Sequence, residues 1–233
     1  IYQKKRMIKT LLTILLAAGA FAASALGQAA TPTPQPAATP IPKANARPEV
    51  KVEANTEPFD TADVATMASK CVKFETEAGE IEIELYPESA RETVRNFLNL
   101  VAIGALDTTT FSRVVPGFVI QGGNLYSREG KMTYALGMRA RKVIPDEPNK
   151  ILHERGVLSM ARTDEPNTAT TNFFILVGPG AHLDGTFAAF GRVTKGMETV
   201  DAINKMPVTE EKPDKPVRIK KASIVACRPP ALQ

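Results

Sequence analysis

The stretch Phe111-Ser112-Arg113-Val114-Val115-Pro116-Gly117-Phe118-Val119-Ile120-Gln121-Gly122-Gly123 decides how this chain is read. Residues 111–115 read as a β-rich run with Phe111, Val114 and Val115 as its apolar members, Pro116-Gly117 is a turn dipeptide, and 118–121 return as a second short strand followed by a glycine pair. A permanent cation, Arg113, sits inside the apolar pattern, with a carboxamide, Gln121, on the far side of the turn. Because a turn resets strand parity, Arg113, Phe118 and Gln121 are able to share one face. A lone Arg in a strand is ordinarily a solvated residue on the outer face of a sheet, so the rest of the chain must decide its role.

Upstream, residues 71–77 alternate apolar and polar, Gly79 turns the chain, and 81–85 alternate again, which predicts a hairpin with one wet face. Pro87-Glu88-Ser89-Ala90 then opens a helix. Val94, Phe97, Leu98 and Val101 recur along it at i, i+3, i+4 and i+7, and Gly104 ends it. Downstream, a second helix is predicted over 197–205 with Met197, Val200 and Ile203 on its buried side, and 217–226 read as the last strand. Most other segments are short strands between Gly, Pro and Asp turns. Two helices among many short strands fit a closed antiparallel barrel with helical caps. Residues 69–233 are long enough for one such domain with a proper core.

The string 111–123 resembles the signature of the cyclophilin family of peptidyl-prolyl isomerases. The resemblance continues in order through Gly156-Val157-Leu158-Ser159-Met160-Ala161-Arg162, Pro166-Asn167-Thr168, Asn172-Phe173-Phe174-Ile175, and Leu183-Asp184-Gly185 followed by Phe190-Gly191. It implies a mainly β fold, a closed eight-stranded antiparallel β-barrel capped by two α-helices. It implies peptidyl-prolyl cis-trans isomerase activity without metal or cofactor, with Arg113 as the catalytic residue. Phe118, Val119, Phe174 and Leu183 are then expected to line a socket for the proline ring, with Phe187 where most family members carry His. Gln121, Asn172 and the main chain of Arg162 are expected to tether the substrate backbone, with Ala161 and His182 also at the site. Of Phe173 and Phe174 one should face the core and one the site, since neighbouring strand residues point to opposite faces. Three positions depart from the family pattern. Asn172 is one methylene shorter than the usual Gln, Val119 replaces a longer Met, and His182 stands where members that bind cyclosporin well carry Trp, so weak cyclosporin binding is expected. In such a barrel the first and last strands are antiparallel neighbours, which predicts a disulfide between Cys71 and Cys227.

The chemistry asks little of the protein. Rotation about an X–Pro bond meets a barrier of roughly 18–20 kcal/mol, and no covalent intermediate or proton donor is needed to lower it. A guanidinium fixed beside the nitrogen can donate a hydrogen bond to it in the twisted state, and every ~1.4 kcal/mol gained only there is about tenfold in rate. A guanidinium keeps its proton, so activity is expected to be flat across neutral pH. The alternative reading is a chaperone or holdase that binds proline-containing segments in the same pocket with little catalysis.

The N-terminal region reads as an address. Lys4, Lys5, Arg6 and Lys9 precede an apolar run over 11–23 and the small-residue site Ala23-Ser24-Ala25, the order of a secretory signal peptide cleaved after Ala25. The run is short and rich in Ala and Gly for a membrane span. Those four cations are the only charges in residues 1–25 and equal the whole formal net charge of +4, so the rest is formally neutral and offers no argument for nucleic-acid binding. Residues 26–68, Pro- and Ala-rich and then weakly acidic, read as an extended linker with at most a short helix in 60–68. The expected organisation is therefore a signal peptide over 1–25, a linker over 26–68 and an isomerase domain over 69–233. Its bearer would be a periplasmic or secreted monomer acting on proline-containing unfolded or partly folded polypeptides.

Other enzyme classes lack their residues. The two histidines, His153 and His182, have no metal-ligand spacing, and there is no Gly-x-Ser-x-Gly elbow, P-loop or dinucleotide fingerprint. His153 reads as a surface residue, Arg139-Ala140-Arg141-Lys142 as a solvated loop cluster, and Asp146, Glu147 and Asp184 as single acids in turns rather than a positioned carboxylate pair.

Overall fold

Alternation of apolar and polar residues builds the frame. In the computed structural model, which describes residues 56–227, β1 (Lys70–Thr76) and β2 (Glu80–Leu85) form the expected hairpin, with Val72 opposite Ile83 and Phe74 opposite Ile81. These four side chains are fully buried. β3 (Arg113–Val115), β4 (Val119–Gly122), β5 (Val157–Met160), β6 (Phe173–Leu176), β7 (Ala189–Lys195) and β10 (Ile219–Ala226) complete an eight-stranded sheet. Its order is β10-β1-β2-β7-β5-β6-β4-β3, with every neighbouring pair antiparallel. A separate small hairpin joins β8 (Val208–Thr209) to β9 (Lys212–Pro213).

The sheet curls into a half-barrel and not the fully closed barrel expected. Its end strands β10 and β3 share no ladder. They approach through one bridge between Thr110 and Arg218, where Phe111 N–H donates to Val217 O at 2.9 Å and Ile219 N–H to Thr109 O at 2.8 Å. Closure fails at β3 because its outer edge is already engaged: Val114 N–H donates to Glu211 O, 2.8 Å away in the β8–β9 turn.

Helix α2 (Arg91–Ala102) buries Val94, Phe97, Leu98 and Val101, the stripe its periodicity predicts. Phe97 is the hub of the core, its ring 5.4 Å from Phe173, 5.0 Å from Phe190 and 6.2 Å from Phe74. The N-cap residue of α2, Ala90, has no side chain to offer. Glu147 supplies the cap from 55 residues away, its carboxylate accepting the N–H groups of Glu92 (2.9 Å) and Thr93 (2.7 Å). Helix α4 (Met197–Asn204) lies close to its predicted span and buries Val200 and Ile203.

Two further helices are α1 (Val64–Ala68), inside the span 60–68 read as linker with at most a short helix, and α3 (Tyr134–Arg139), which the sequence reading does not expect. Residues 57–68, read from sequence as linker, fold onto α2: Met67 is fully buried, Phe59 N–H donates to Asn99 Oδ1 at 2.7 Å, and Arg95 donates to the carbonyls of Phe59 and Ala62. Weak hydrophobic patterning concealed a segment held mostly by polar contacts. The same contacts overturn the solvated reading of Arg139, which is 7% exposed and paired through Nε with Glu57 at 2.6 Å; Arg141 and Lys142 do face solvent.

Cys71 and Cys227 are joined, their Cα atoms 4.9 Å apart. The signal peptide and the linker up to residue 55 lie outside the described residues. Among those described, no helix is long and apolar enough to cross a membrane.

Candidate active site

The β3–β4 hairpin carries the first half of the site. Arg113 stands opposite Gln121 and Val115 opposite Val119, so these four share one face while Val114 and Ile120 enter the main core. The turn between them is closed by Phe118 N–H to Val115 O at 3.0 Å. Gly117 takes φ +74° there, a left-handed value that a β-carbon resists. Asn204 at the end of α4 grips this turn from behind. Its Oδ1 accepts Gly117 N–H at 2.8 Å, and its Nδ2 donates to Val115 O (2.9 Å) and Val119 O (3.1 Å).

The Arg113 guanidinium is held on two sides. Nε donates to Glu211 Oε2 at 2.7 Å and Nη1 to Gln121 Oε1 at 3.2 Å; Nη2 has no partner among the described residues. Beside it opens a pocket of about 160 Å³. Phe118, Val119, Ala161, Phe174, Leu183 and Phe187 make its apolar wall, and Arg113, Gln121 and Arg162 its polar rim. Nine of the residues expected at the site thus converge. Phe173 and Phe174 divide as parity requires, the first into the main core and the second into a smaller cluster around the pocket.

Asn172 and His182 stand outside the lining. The carbonyl of Asn172 accepts Ala161 N–H at 3.0 Å, a main-chain brace for the wall. The His182 ring packs on Phe118 with centroids 5.3 Å apart. On the opposite side, the Arg162 guanidinium lies 4.7 Å from the centroid of Phe187, and its Nε is 3.3 Å from Asp146 Oδ2. Asp146 is itself latched to Asn167, each carboxylate or carboxamide oxygen accepting the other's backbone N–H at 3.0 and 2.9 Å.

His153 is not a surface residue: it is 2% exposed. Its Nδ1 lies 3.0 Å from Asp184 Oδ1 and its Nε2 3.0 Å from Ser159 Oγ, while its backbone N–H donates to Asp184 Oδ1 at 2.7 Å. The His153 N–H and ring hold the Asp184 carboxyl below the usual carboxylate range. A Ser–His–Asp chain of this spacing resembles a hydrolytic triad, but Ser159 is 0% exposed and faces no substrate. The chain is a brace. The His153 ring stacks on Phe174, 6.5 Å between centroids, and Asp184 follows Leu183, so pocket floor and wall are fixed together. The polar sequence Leu152-His153-Glu154-Arg155 concealed this burial, and Asn204, Asp146 and Glu211 carried no local sign of a role here because each acts across the fold. Among the described residues no three His, Cys, Asp or Glu side chains gather as a metal site.

The profile of the cyclophilin type peptidyl-prolyl cis-trans isomerase/CLD family matches residues 71–224. The chain belongs to that family. A relative, peptidyl-prolyl cis-trans isomerase A of Dickeya dadantii, is 35% identical over 181 residues, which cover 72% of this chain and 90% of that one. The Arabidopsis thaliana peptidyl-prolyl cis-trans isomerase CYP23 is 40% identical over 146 residues, 62% of this chain and 65% of the relative. Among solved cyclophilins, one from Cryptosporidium parvum determined in the presence of the dipeptide Ala-Pro superposes with a TM-score of 0.59 at 30% identity, covering 67% of this chain and 99% of that one.

Proposed function

We propose that this cyclophilin accelerates cis–trans isomerisation of X–Pro bonds, with the proline ring seated in the apolar pocket and the Arg113 guanidinium donating to the amide nitrogen as the bond twists. The observation that carries the reading is the placement of Arg113 at the lip of an apolar pocket, with Nε and Nη1 engaged by fixed acceptors and Nη2 left over. In the planar amide the nitrogen lone pair is delocalised and accepts poorly; in the twisted state it localises, so a pre-placed donor stabilises the transition state more than the bound peptide. Gln121 and the main chain around Arg162 hold the flanking backbone, while Phe174, Leu183 and Phe187 exclude water from the ring. The solved relative prepared with Ala-Pro supports a proline-containing peptide as ligand. The charge and apolar pattern of residues 4–25 supports export, with unfolded or partly folded exported chains as substrates.

A protease-coupled assay on an X–Pro peptide, run with the full chain and its Arg113→Ala variant, tests this. The variant should lose about 10²–10³-fold in kcat/KM, the typical cost of removing one transition-state donor, while peptide binding measured by calorimetry changes little. Equal rates in both proteins would refute the role of Arg113, and rates both equal and low with binding retained would leave the proline-binding holdase as the reading.

A further inference from the structure

The two residues at the tip of the β8–β9 hairpin are Glu210 and Glu211, with Thr209 opposite Lys212 on either side. Both take left-handed backbone angles, φ +50° and +62°. A two-residue turn of this kind is the natural place for Asn-Gly, because longer side chains resist positive φ. Two consecutive glutamates there are strained, and strain that persists points to something the side chain does. Glu210 makes no hydrogen bond or ion pair among the described residues. Glu211 makes two contacts, both onto β3: its carbonyl accepts Val114 N–H at 2.8 Å, and its carboxylate accepts Arg113 Nε at 2.7 Å.

The side-chain contact contributes little to folding. Arg113 and Glu211 are 44% and 48% exposed, and surface pairs of this kind are screened and weak. Its effect is geometric. A long arginine side chain has several rotatable bonds, and an acceptor at Nε together with Gln121 at Nη1 leaves the guanidinium one plane and directs the remaining Nη2 donors. We infer that Glu211 is a positioning residue of the isomerase, a carboxylate carried on a strained turn to orient Arg113 toward the twisting amide. This deepens the proposed function and rests on the role given there to Arg113.

The two turn glutamates provide their own control. Glu211→Gly and Glu210→Gly each relieve one left-handed non-glycine residue and keep the backbone tether to Val114, but only the first removes the acceptor on Arg113. Full-length variants are compared in the protease-coupled assay and by thermal melting. Glu211→Gly should lose about tenfold in kcat/KM through kcat, with KM nearly unchanged, and a Tm equal to wild type or raised by up to about 4 °C. Glu210→Gly should melt likewise and keep the wild-type rate. Glu211→Gln, which keeps an oxygen at the same reach, should stay within about threefold of wild type. A wild-type rate in Glu211→Gly, an equal loss in Glu210→Gly, or a Gln variant as slow as the Gly variant would overturn the inference. Arg113→Ala run alongside separates the two readings. If it is inactive while Glu211→Gly is fully active, only the positioning role fails; if it keeps the wild-type rate, the role of Arg113 itself fails.

Discussion

Asp184 is held ionised by the His153 backbone N–H and ring, so its pKa in the folded chain lies below the ordinary 3.8. A depressed carboxylate contributes stability that is fully present above its unfolded value and is lost as the pH falls through the folded one. Wild type and Asp184→Asn melted between pH 7 and pH 2.5 should therefore differ by a constant Tm gap above about pH 5, a gap that narrows as the carboxylate takes up its proton. Asp201, paired with Arg155, titrates in the same direction in both proteins and cancels in the difference. A gap that is the same at both ends of the range would show that the Asp184 charge adds nothing. At this scale legibility followed distance along the chain. Arg113 and Gln121 stand eight residues apart around a turn whose parity can be read off, whereas the partners of His153 and Glu211 lie 31 and 98 residues away.

Among the elements, those with several periods of pattern were legible: the β1–β2 hairpin, α2, α4 and β10. Helices α1 and α3, at five and six residues, complete fewer than two turns and leave no recurring stripe. The opening of α2 shows a second limit. Its start was readable from Pro87-Glu88-Ser89-Ala90, but its cap was not, since Glu147 arrives from a loop that sequence alone leaves unplaced. Replacing Glu147 by Ala should destabilise the domain by about 1–2 kcal/mol through the two unpaired N–H groups and the lost charge at the helix N-terminus. Urea unfolding measures this as a lower midpoint at unchanged slope. An unchanged midpoint would mean that water replaces the carboxylate at no cost.

For the whole molecule, the eight strands and their antiparallel arrangement followed from motif order, but how far the sheet closes did not. Closure depends on what lies along the outer edge of β3, and there Val114 N–H meets the β8–β9 hairpin and not β10. The Cys71–Cys227 bond ties the first strand to the end of the last across 156 residues. A loop that long corresponds to about 5 kcal/mol in the chain-entropy account, with about 2–5 kcal/mol the usual cost of losing a native bridge. Unreduced protein unfolded in denaturant should show no reactive thiol, and Cys71→Ser with Cys227→Ser should lower Tm by about 5 °C or more. Two titratable thiols in the unreduced chain would show that the bridge does not form.

Among the described residues the buried apolar side chains form two clusters, the large one around Phe97 and the small one around Phe174, whose neighbour Phe173 points the other way into the large one. Under the proposed function, what the domain needs in order to fold and what it uses to choose a peptide are written mostly in different residues. If the proposed function holds, substitutions at Val119 or Phe187 should reshape the preference around proline while the ring cluster of Phe74, Phe97, Phe173 and Phe190 is left untouched. Such a division lets one scaffold diverge toward new substrates by small steps without passing through sequences that fail to fold.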